Sequence, residues 1–114
     1  MRKITYVPER GDVVWLDFDP QAGHEQAGRR PAFVLSAATY NGKTGLMLCC
    51  PITSQVKGYP FEVAMGENAV VQGVILSDQV KSLDWQAREA EKEGKVSKPV
   101  MEEVIAKVKA ILEG

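Results

Sequence analysis

Near the middle of the chain, the consecutive residues from Leu46 to Ile52 are almost all apolar. Turn-forming residues precede this run at Asn41-Gly42, and the polar sequence Thr53-Ser54-Gln55 follows it. A short apolar run between such boundaries is typical of a strand that is covered on both faces. We therefore expect Leu46–Ile52 to be the central strand of a sheet.

Shorter segments with strand-like sequences lie on either side of this run. From Val13 to Phe18, apolar side chains alternate between two faces, which is typical of a half-buried strand. The polar stretch 40–45 contains Asn-Gly between apolar runs, which predicts a hairpin turn. The other predicted strands are Ala32–Leu35 (opened by Pro31), Phe61–Ala64, Gly73–Leu76 and one or two strands within Ser77–Trp85.

After Trp85 the pattern changes. Arg88 to Lys95 is charged and almost free of large apolar residues, so it is predicted to be a solvated surface turn. Apolar residues then recur at helical spacing, with Pro99 near the first turn and Gly114 at the end. The sequence predicts one amphipathic C-terminal helix whose apolar stripe closes the core. The stripe comprises Val100, Val104, Ile105, Val108, Ile111 and Leu112.

Several short strands joined by turns and followed by one helix indicate a small, twisted, barrel-like sheet. The predicted fold class is mainly β with α (α+β), a small Greek-key or SH3-like β-barrel with the amphipathic C-terminal helix packed outside it. The chain has 114 residues and a hydrophobic fraction of 45%, which suits a single globular domain over residues 1–114.

Composition excludes several other classes. The net charge of −1 argues against a generic polyanion binder, so any nucleic-acid site must be a local basic patch. Cys49 and Cys50 are adjacent, which would strain a disulfide between them, and we expect two reduced, mostly buried thiols. With a single histidine, the chain offers no zinc-type ligand set. No signal peptide or membrane-spanning run is found, so we expect a cytoplasmic protein.

The polar stretch that precedes the second predicted strand carries the densest set of reactive side chains. Loops at the ends of neighbouring strands lie side by side, so the loop after the central strand and Ser77–Lys81 are expected to face it. Thr53-Ser54-Gln55 and Lys57 with Tyr59 belong to the loop after the central strand. The reactive residues between Gly23 and Ser36 are His24, Glu25, Gln26, Arg29 and Arg30.

Arginine beside a carboxylate, together with a hydroxyl group, suits metal-free RNA cleavage. RNA supplies its own nucleophile, the 2′-OH, so the protein has only to align it, move protons and neutralise the phosphorane. The aspartates show no metal-site spacing, and the chain has no P-loop or convincing catalytic triad. From the residues alone, structural roles remain open: Glu25 could pair with an arginine, Thr53 could bond to the backbone, and Lys57 could be a solvated loop tip.

Five segments in order resemble the MazF/PemK toxin endoribonucleases. They cover nearly the whole chain, and their joint register makes the resemblance specific. These segments are Gly11–Pro20, Gly23–Pro31 with Val34-Leu35-Ser36, Pro51–Gln55, Lys57–Pro60 and Asp78–Ser82.

The resemblance implies an SH3-like barrel, a homodimer and a cognate antitoxin with a disordered acidic segment. It also implies sequence-specific cleavage of single-stranded RNA without metal or other cofactor, leaving a 2′,3′-cyclic phosphate and a 5′-OH. Arg30 takes the position of the family's key catalytic arginine, Thr53 would hold the scissile phosphate, and Glu25 would act as base or orient Arg30. His24 is expected to be a bystander. Expected RNA-binding residues are Gln26, Arg29, Ser54, Gln55, Lys57, Gln79 and Lys81.

Two other functions stay open at this point. Gyrase-poisoning toxins of the same fold end in Trp-Gly-Ile, whereas this chain reads Ile111-Leu112-Glu113-Gly114. A passive RNA-binding barrel is the third possibility. The cleaved sequence is not readable from the chain, because base choice depends on loop shape and a few hydrogen bonds. A short site such as ACA is an expectation from the family alone.

Overall fold

The computed structural model describes residues 6–18 and 28–114 of the chain. These residues form seven strands and two helices. Their bounds are β1 Asp12–Asp17, β2 Arg29–Val34, α1 Ala38–Thr44, β3 Leu46–Thr53, β4 Glu62–Ala64, β5 Val74–Leu76, β6 Lys81–Asp84, β7 Glu91–Lys95 and α2 Lys98–Glu113.

The strands pair antiparallel in the order β4-β5-β3-β2-β1-β7. The first half of β3 also pairs with β6, and its end pairs with β5, so this strand has the largest number of neighbouring strands. The predicted α+β class, with a bent, barrel-like sheet and a C-terminal helix, is confirmed, and so is the central position of β3.

Apolar side chains cover both faces of β3, as its sequence predicts. Cys50 and Ile52 pack with Val13, Phe33 and α2 on one face. Cys49 and Met47 belong to a second cluster on the other face. Both thiols are reduced and buried, and burial raises the pKa of each to about 12. The adjacent cysteines therefore act as small core residues on opposite faces.

Helix α2 covers one of these clusters with only part of its predicted stripe. The Ser97 hydroxyl caps the helix by accepting a hydrogen bond from the Val100 N–H. Val104 is fully buried, but Ile111 and Leu112 are 43% and 78% exposed. The expectation that the whole stripe closes the core is wrong for these two residues. They lie in the last turn of α2, which extends beyond the apolar cluster that the rest of the helix covers.

The predicted hairpin turn at 40–45 is also wrong, because Ala38–Thr44 forms helix α1. The buried side-chain amide of Asn41 donates to the backbone carbonyl oxygens of Pro8 and Ser36, and the backbone carbonyl oxygen of Asn41 accepts from Trp85 Nε1. Gly45 ends the helix with a left-handed backbone, at φ 76°. Tertiary hydrogen bonds therefore outweigh the local turn preference of Asn-Gly.

The charged segment near the C-terminus is another correction. Glu91–Lys95 is strand β7, which pairs with β1, rather than a surface turn. Its side chains are mostly exposed, as the composition indicates, but its backbone completes one edge of the sheet.

No helix within residues 6–18 and 28–114 has the length and apolar character needed to cross a bilayer.

Candidate active site

A cleft opens where β2 and β3 stop pairing with each other. Their ladder runs from Val34↔Cys49 to Ala32↔Pro51. Beyond that pair, β2 stays beside β1, whereas the end of β3 pairs with β5. The cleft between the two arms has a volume of about 650 Å³. It is lined by Trp15, Gly28, Arg29, Arg30, Pro31, Ile52, Thr53, Ser54, Gln55, Val71 and Gln72.

Arg30 and Thr53 lie on the two walls of this cleft. Both residues line the cleft, and each lies two residues beyond the last β2–β3 pair, Ala32↔Pro51, on its own strand. Arg30 is exposed, and it belongs to β2 rather than to the loop in which the sequence placed it. A strand fixes the backbone of this arginine more firmly than a loop would. The two residues assigned the main phosphate-binding roles are therefore brought together.

The Thr53 hydroxyl is held in place by the chain that follows it. Its oxygen accepts a hydrogen bond from the Gln55 N–H at 3.1 Å, which is the backbone contact expected of a strand-end threonine. A hydroxyl group has one donor and two acceptor positions, so the Thr53 proton can still be donated to a ligand. The structural contact and the proposed phosphate contact are thus compatible.

A second, smaller cleft of about 230 Å³ continues from the first and shares Thr53 and Gln55 with it. Glu62 organises its rim by accepting hydrogen bonds from the Lys57 and Gly58 N–H groups, at 3.1 and 2.9 Å. Together the two clefts form a continuous surface past Thr53. The second is lined by Thr53, Gln55, Lys57, Tyr59, Glu62, Leu76, Asp78 and Gln79.

Lys81 differs from the other predicted RNA-binding residues that the structure describes, because they line one of the two clefts and Lys81 does not. It begins β6 and pairs with Cys49, four residues along β3 from Thr53. At the rise of a strand this separation is about 13 Å. Lys81 lines neither cleft, so an RNA contact by Lys81 requires a strand that extends well beyond the Arg30–Thr53 pair.

Arg29 is tied to the protein itself. Its guanidinium donates to Asp17 Oδ1 at 3.1 Å and to the Trp15 carbonyl oxygen at 3.1 Å. It also contacts the Glu89 carbonyl oxygen and the Glu91 carboxylate. These partners join the end of β1 to the segment that leads into β7. An RNA contact by Arg29 stays a prediction, and it would require the guanidinium to share these partners.

Three residues named in the sequence lie outside the described part of the chain. They are His24, Glu25 and Gln26, and their roles stay predictions. Among residues 6–18 and 28–114, no three His, Cys, Asp or Glu residues come together as a metal-ligand set.

The structure adds residues that the sequence analysis did not select. Trp15 was read only as a strand residue, yet it lines the main cleft and its Nε1 donates to Glu93. Val71 and Gln72 form part of the same lining, from the segment between the predicted strands Phe61–Ala64 and Gly73–Leu76. Trp15 shares its strand face with Asp17, and an aromatic side chain on a partly polar strand face is a signal that could have indicated Trp15. No comparable signal marks Val71 or Gln72.

The arrangement can bind and polarise a phosphodiester. A planar guanidinium offers paired donors to phosphate oxygens, and the Thr53 hydroxyl can donate to the same group from the opposite wall. Charge that develops on phosphorus-bound oxygens would thus be neutralised between two fixed donors.

Comparison with known proteins agrees with this geometry. Residues 9–112 match the family model described as PemK-like, MazF-like toxin of type II toxin-antitoxin system. The chain is 51% identical over 107 residues to the endoribonuclease toxin MazF of Escherichia coli K12, covering 94% of this chain and 96% of that protein. It is 39% identical over 111 residues to the endoribonuclease toxin ChpB of the same strain, covering 92% and 94%.

Solved structures show the same fold. MazF from Deinococcus radiodurans superposes with a TM-score of 0.87 at 54% identity, covering 96% of this chain and 100% of that chain. A MazE–MazF crystal form from that organism gives a TM-score of 0.90 at 54% identity, covering 96% and 98%. The predicted enzyme class, an endoribonuclease, is confirmed, because this chain is 51% identical to named endoribonucleases over nearly its whole length. This chain belongs to the PemK-like, MazF-like toxins of type II toxin–antitoxin systems.

Proposed function

We propose that this protein is a sequence-specific, metal-independent endoribonuclease that cleaves single-stranded mRNA and thereby inhibits growth. The observation that carries the proposal is that Arg30 and Thr53 line the same cleft, where β2 and β3 diverge. The cleft beside them is open enough to admit a nucleotide chain, and the second cleft extends it past Lys57 and Gln79.

In the proposed reaction, the 2′-oxygen of the RNA loses its proton and attacks the adjacent phosphorus. The bond from phosphorus to the 5′-oxygen breaks, and that oxygen gains a proton, which leaves a 2′,3′-cyclic phosphate and a 5′-OH. Arg30 neutralises the phosphorane, and Thr53 holds a phosphate oxygen. Glu25 is proposed as the base or as the residue that orients Arg30.

RNA bound in this way would follow the continuous surface formed by the two clefts. Unstacked bases are read by hydrogen bonds and by stacking on aromatic side chains. Trp15 and Tyr59 offer aromatic faces along the lining. The residues proposed to contact RNA are Gln26, Arg29, Ser54, Gln55, Lys57, Gln79 and Lys81.

The test is cleavage of a long, mixed-sequence transcript by purified protein in the presence of EDTA. We expect discrete fragments whose new 5′ ends can be phosphorylated directly by polynucleotide kinase, as 5′-OH ends require. Sequencing these ends gives the cleavage site. A synthetic RNA carrying that site with a 2′-deoxy sugar at the attacking position should bind but remain intact.

The matched control is Arg30→Ala, which should fold normally because Arg30 is exposed. Intact transcript with the parent protein, or equal cleavage by parent and variant, would contradict the proposal. Trapping of gyrase on DNA would favour the gyrase-poisoning alternative, and binding of RNA without any cleavage would favour a passive RNA-binding barrel.

Regulation is proposed to follow the relatives that crystallise with MazE, as MazE–MazF forms. A cognate antitoxin would lay a disordered acidic segment across a toxin homodimer in the cytoplasm and cover the RNA cleft. Such a segment becomes ordered on binding, and its acidic side chains are attracted to the basic groups of the cleft. Co-expression should restore growth, and unchanged toxicity in its presence would contradict this part of the proposal.

A further inference from the structure

The loop between β4 and β5 packs against the backbone of Thr53. Gly73, the last residue of this loop, precedes Val74, which pairs with Thr53 in the β3–β5 ladder. The Gly73 carbonyl oxygen accepts from the Met65 N–H at 3.0 Å, which closes the base of the loop. Gly73 is thus held between the β4–β5 hairpin on one side and the end of β3 on the other.

No side chain fits at position 73. A Cβ atom there would lie 2.2 Å from the Thr53 carbonyl oxygen and 2.9 Å from the Thr53 carbonyl carbon. It would also lie 3.2 Å from Ser54 Cα, so all three neighbouring atoms belong to the backbone. Backbone atoms cannot rotate away as a side-chain end can. A larger residue at 73 must therefore displace the Thr53–Ser54 backbone or the loop itself.

We infer that Gly73 is a positioning residue for Thr53. Its missing side chain lets the loop pack against the Thr53 carbonyl group and fixes how far the Thr53 hydroxyl stands from Arg30. The inference rests on the proposed function, because it assigns importance to the position of a residue proposed to hold the scissile phosphate. Displacement of a catalytic group by about 1 Å can cost about 100-fold in rate.

A control for backbone strain exists in the same loop. Gly66 has φ +105°, close to the +125° of Gly73, but a Cβ at position 66 would meet nothing within 4 Å. Gly66→Ala therefore introduces the strain of a positive φ without pushing on Thr53. The difference between Gly73→Ala and Gly66→Ala isolates the contact with the Thr53 backbone.

The experiment measures kcat for the mapped RNA site and the Kd for its non-cleavable 2′-deoxy analogue. We expect Gly73→Ala to lower kcat by about 10- to 100-fold relative to Gly66→Ala, with Kd changed less than about threefold. A purely structural role would lower the melting temperature of both variants and leave kcat per folded molecule equal. Equal kcat values for the two variants would overturn the inference.

A second variant covers the case in which Gly73→Ala does not fold. D-Alanine at position 73, introduced by chemical ligation, suits a positive φ and leaves the L-Cβ position beside the Thr53 carbonyl empty. It should fold and keep the parent kcat, and a folded D-alanine protein with a reduced kcat would overturn the inference. Thr53→Ala distinguishes a failure of the proposed function from a failure of the inference about Gly73. Full activity in Thr53→Ala would contradict the proposed role of Thr53, whatever Gly73→Ala does.

Discussion

The fully buried Asp12 carboxylate accepts a hydrogen bond from the Lys95 ammonium group at 2.9 Å, across the β1–β7 ladder. Tyr6 donates its hydroxyl to the other carboxylate oxygen at 2.5 Å, and the Glu9 N–H donates to that same oxygen at 3.0 Å. Burial alone would raise the pKa of Asp12, but these hydrogen bonds outweigh it and lower the pKa below its usual value. The same pair raises the pKa of Lys95.

This buried carboxylate predicts a stability change in acid. Because the pKa of Asp12 is lowered by folding, its contribution is complete above the unfolded value of about 4 and is lost as pH falls through the folded value. Asp12→Asn should lower the free energy of unfolding by about 2 kcal/mol at pH 7. The difference from the parent protein should shrink below about pH 4. Urea unfolding at several pH values measures it.

Tyr6→Phe is the matched control, since it removes one donor and keeps the charge of Asp12. It should cost about 1 kcal/mol at neutral pH. A difference between parent and Asp12→Asn that stays constant from pH 7 to pH 3 would contradict the assignment of the low pKa to Asp12.

The geometry of the guanidinium at position 30 predicts that charge alone is insufficient. The substitution Arg30→Lys would keep a positive charge but lose the planar pair of donors that phosphate oxygens accept. We expect kcat to fall by about 100-fold or more, the range seen on removing an oxyanion donor, with a smaller change in the Kd for the 2′-deoxy RNA. If Arg30→Lys kept more than half of the parent kcat, a positive charge at position 30 would be sufficient for cleavage without the planar pair of donors.

The contacts of Arg29 predict that this residue stabilises the fold, and its predicted RNA contact can be tested separately. Arg29→Gln should lower the free energy of unfolding by about 1–3 kcal/mol, because its guanidinium bridges Asp17 and two backbone carbonyl groups. The salt dependence of RNA binding stays unchanged if this structural role is the only role of Arg29. Lys57→Gln gives the comparison, since losing one phosphate contact should reduce the slope of log K against log salt by about 0.7. The same reduction in Arg29→Gln would instead indicate direct RNA contact.

The buried thiols predict chemical inertness in the native state. With the pKa of Cys49 and Cys50 raised to about 12, only about one thiol in ten thousand is ionised at pH 8. Ellman's reagent should therefore react with neither cysteine until urea unfolds the chain, after which two thiols should titrate. Rapid reaction of the folded protein would show that one of these residues is accessible.

The parts of the fold that the sequence predicted are those determined by local pattern. The apolar run of β3 and the helical spacing around Val104 are readable because neighbouring residues decide which face is buried. Strand β7 is not readable in this way, since its charged side chains stay exposed and only its backbone pairing with β1 makes it a strand. Helix α1 likewise depends on hydrogen bonds between Asn41 and distant residues, one donated to Pro8 and one accepted from Trp85.

The residues of the candidate site also differ in whether the sequence could reveal them. Arg30 and Thr53 were identifiable from their family motifs, although the strand position of Arg30 was not. The four partners of Arg29 come from segments up to 62 residues away in sequence, so no local pattern could reveal them. Gly73 had no signal either, because a glycine at the start of a predicted strand is ordinary and only the close approach of the Thr53 carbonyl group gives it significance.

The divergence of β2 from β3 has one more consequence. Arg30 is fixed to the arm that contains β1, and Thr53 is fixed to the arm that contains β5. Their spacing therefore depends on the angle between the arms below the Ala32↔Pro51 pair. Under the proposed mechanism, a molecule that pushes these arms apart would inhibit the enzyme without occupying the proposed phosphate position, so inhibition would not require competition with RNA.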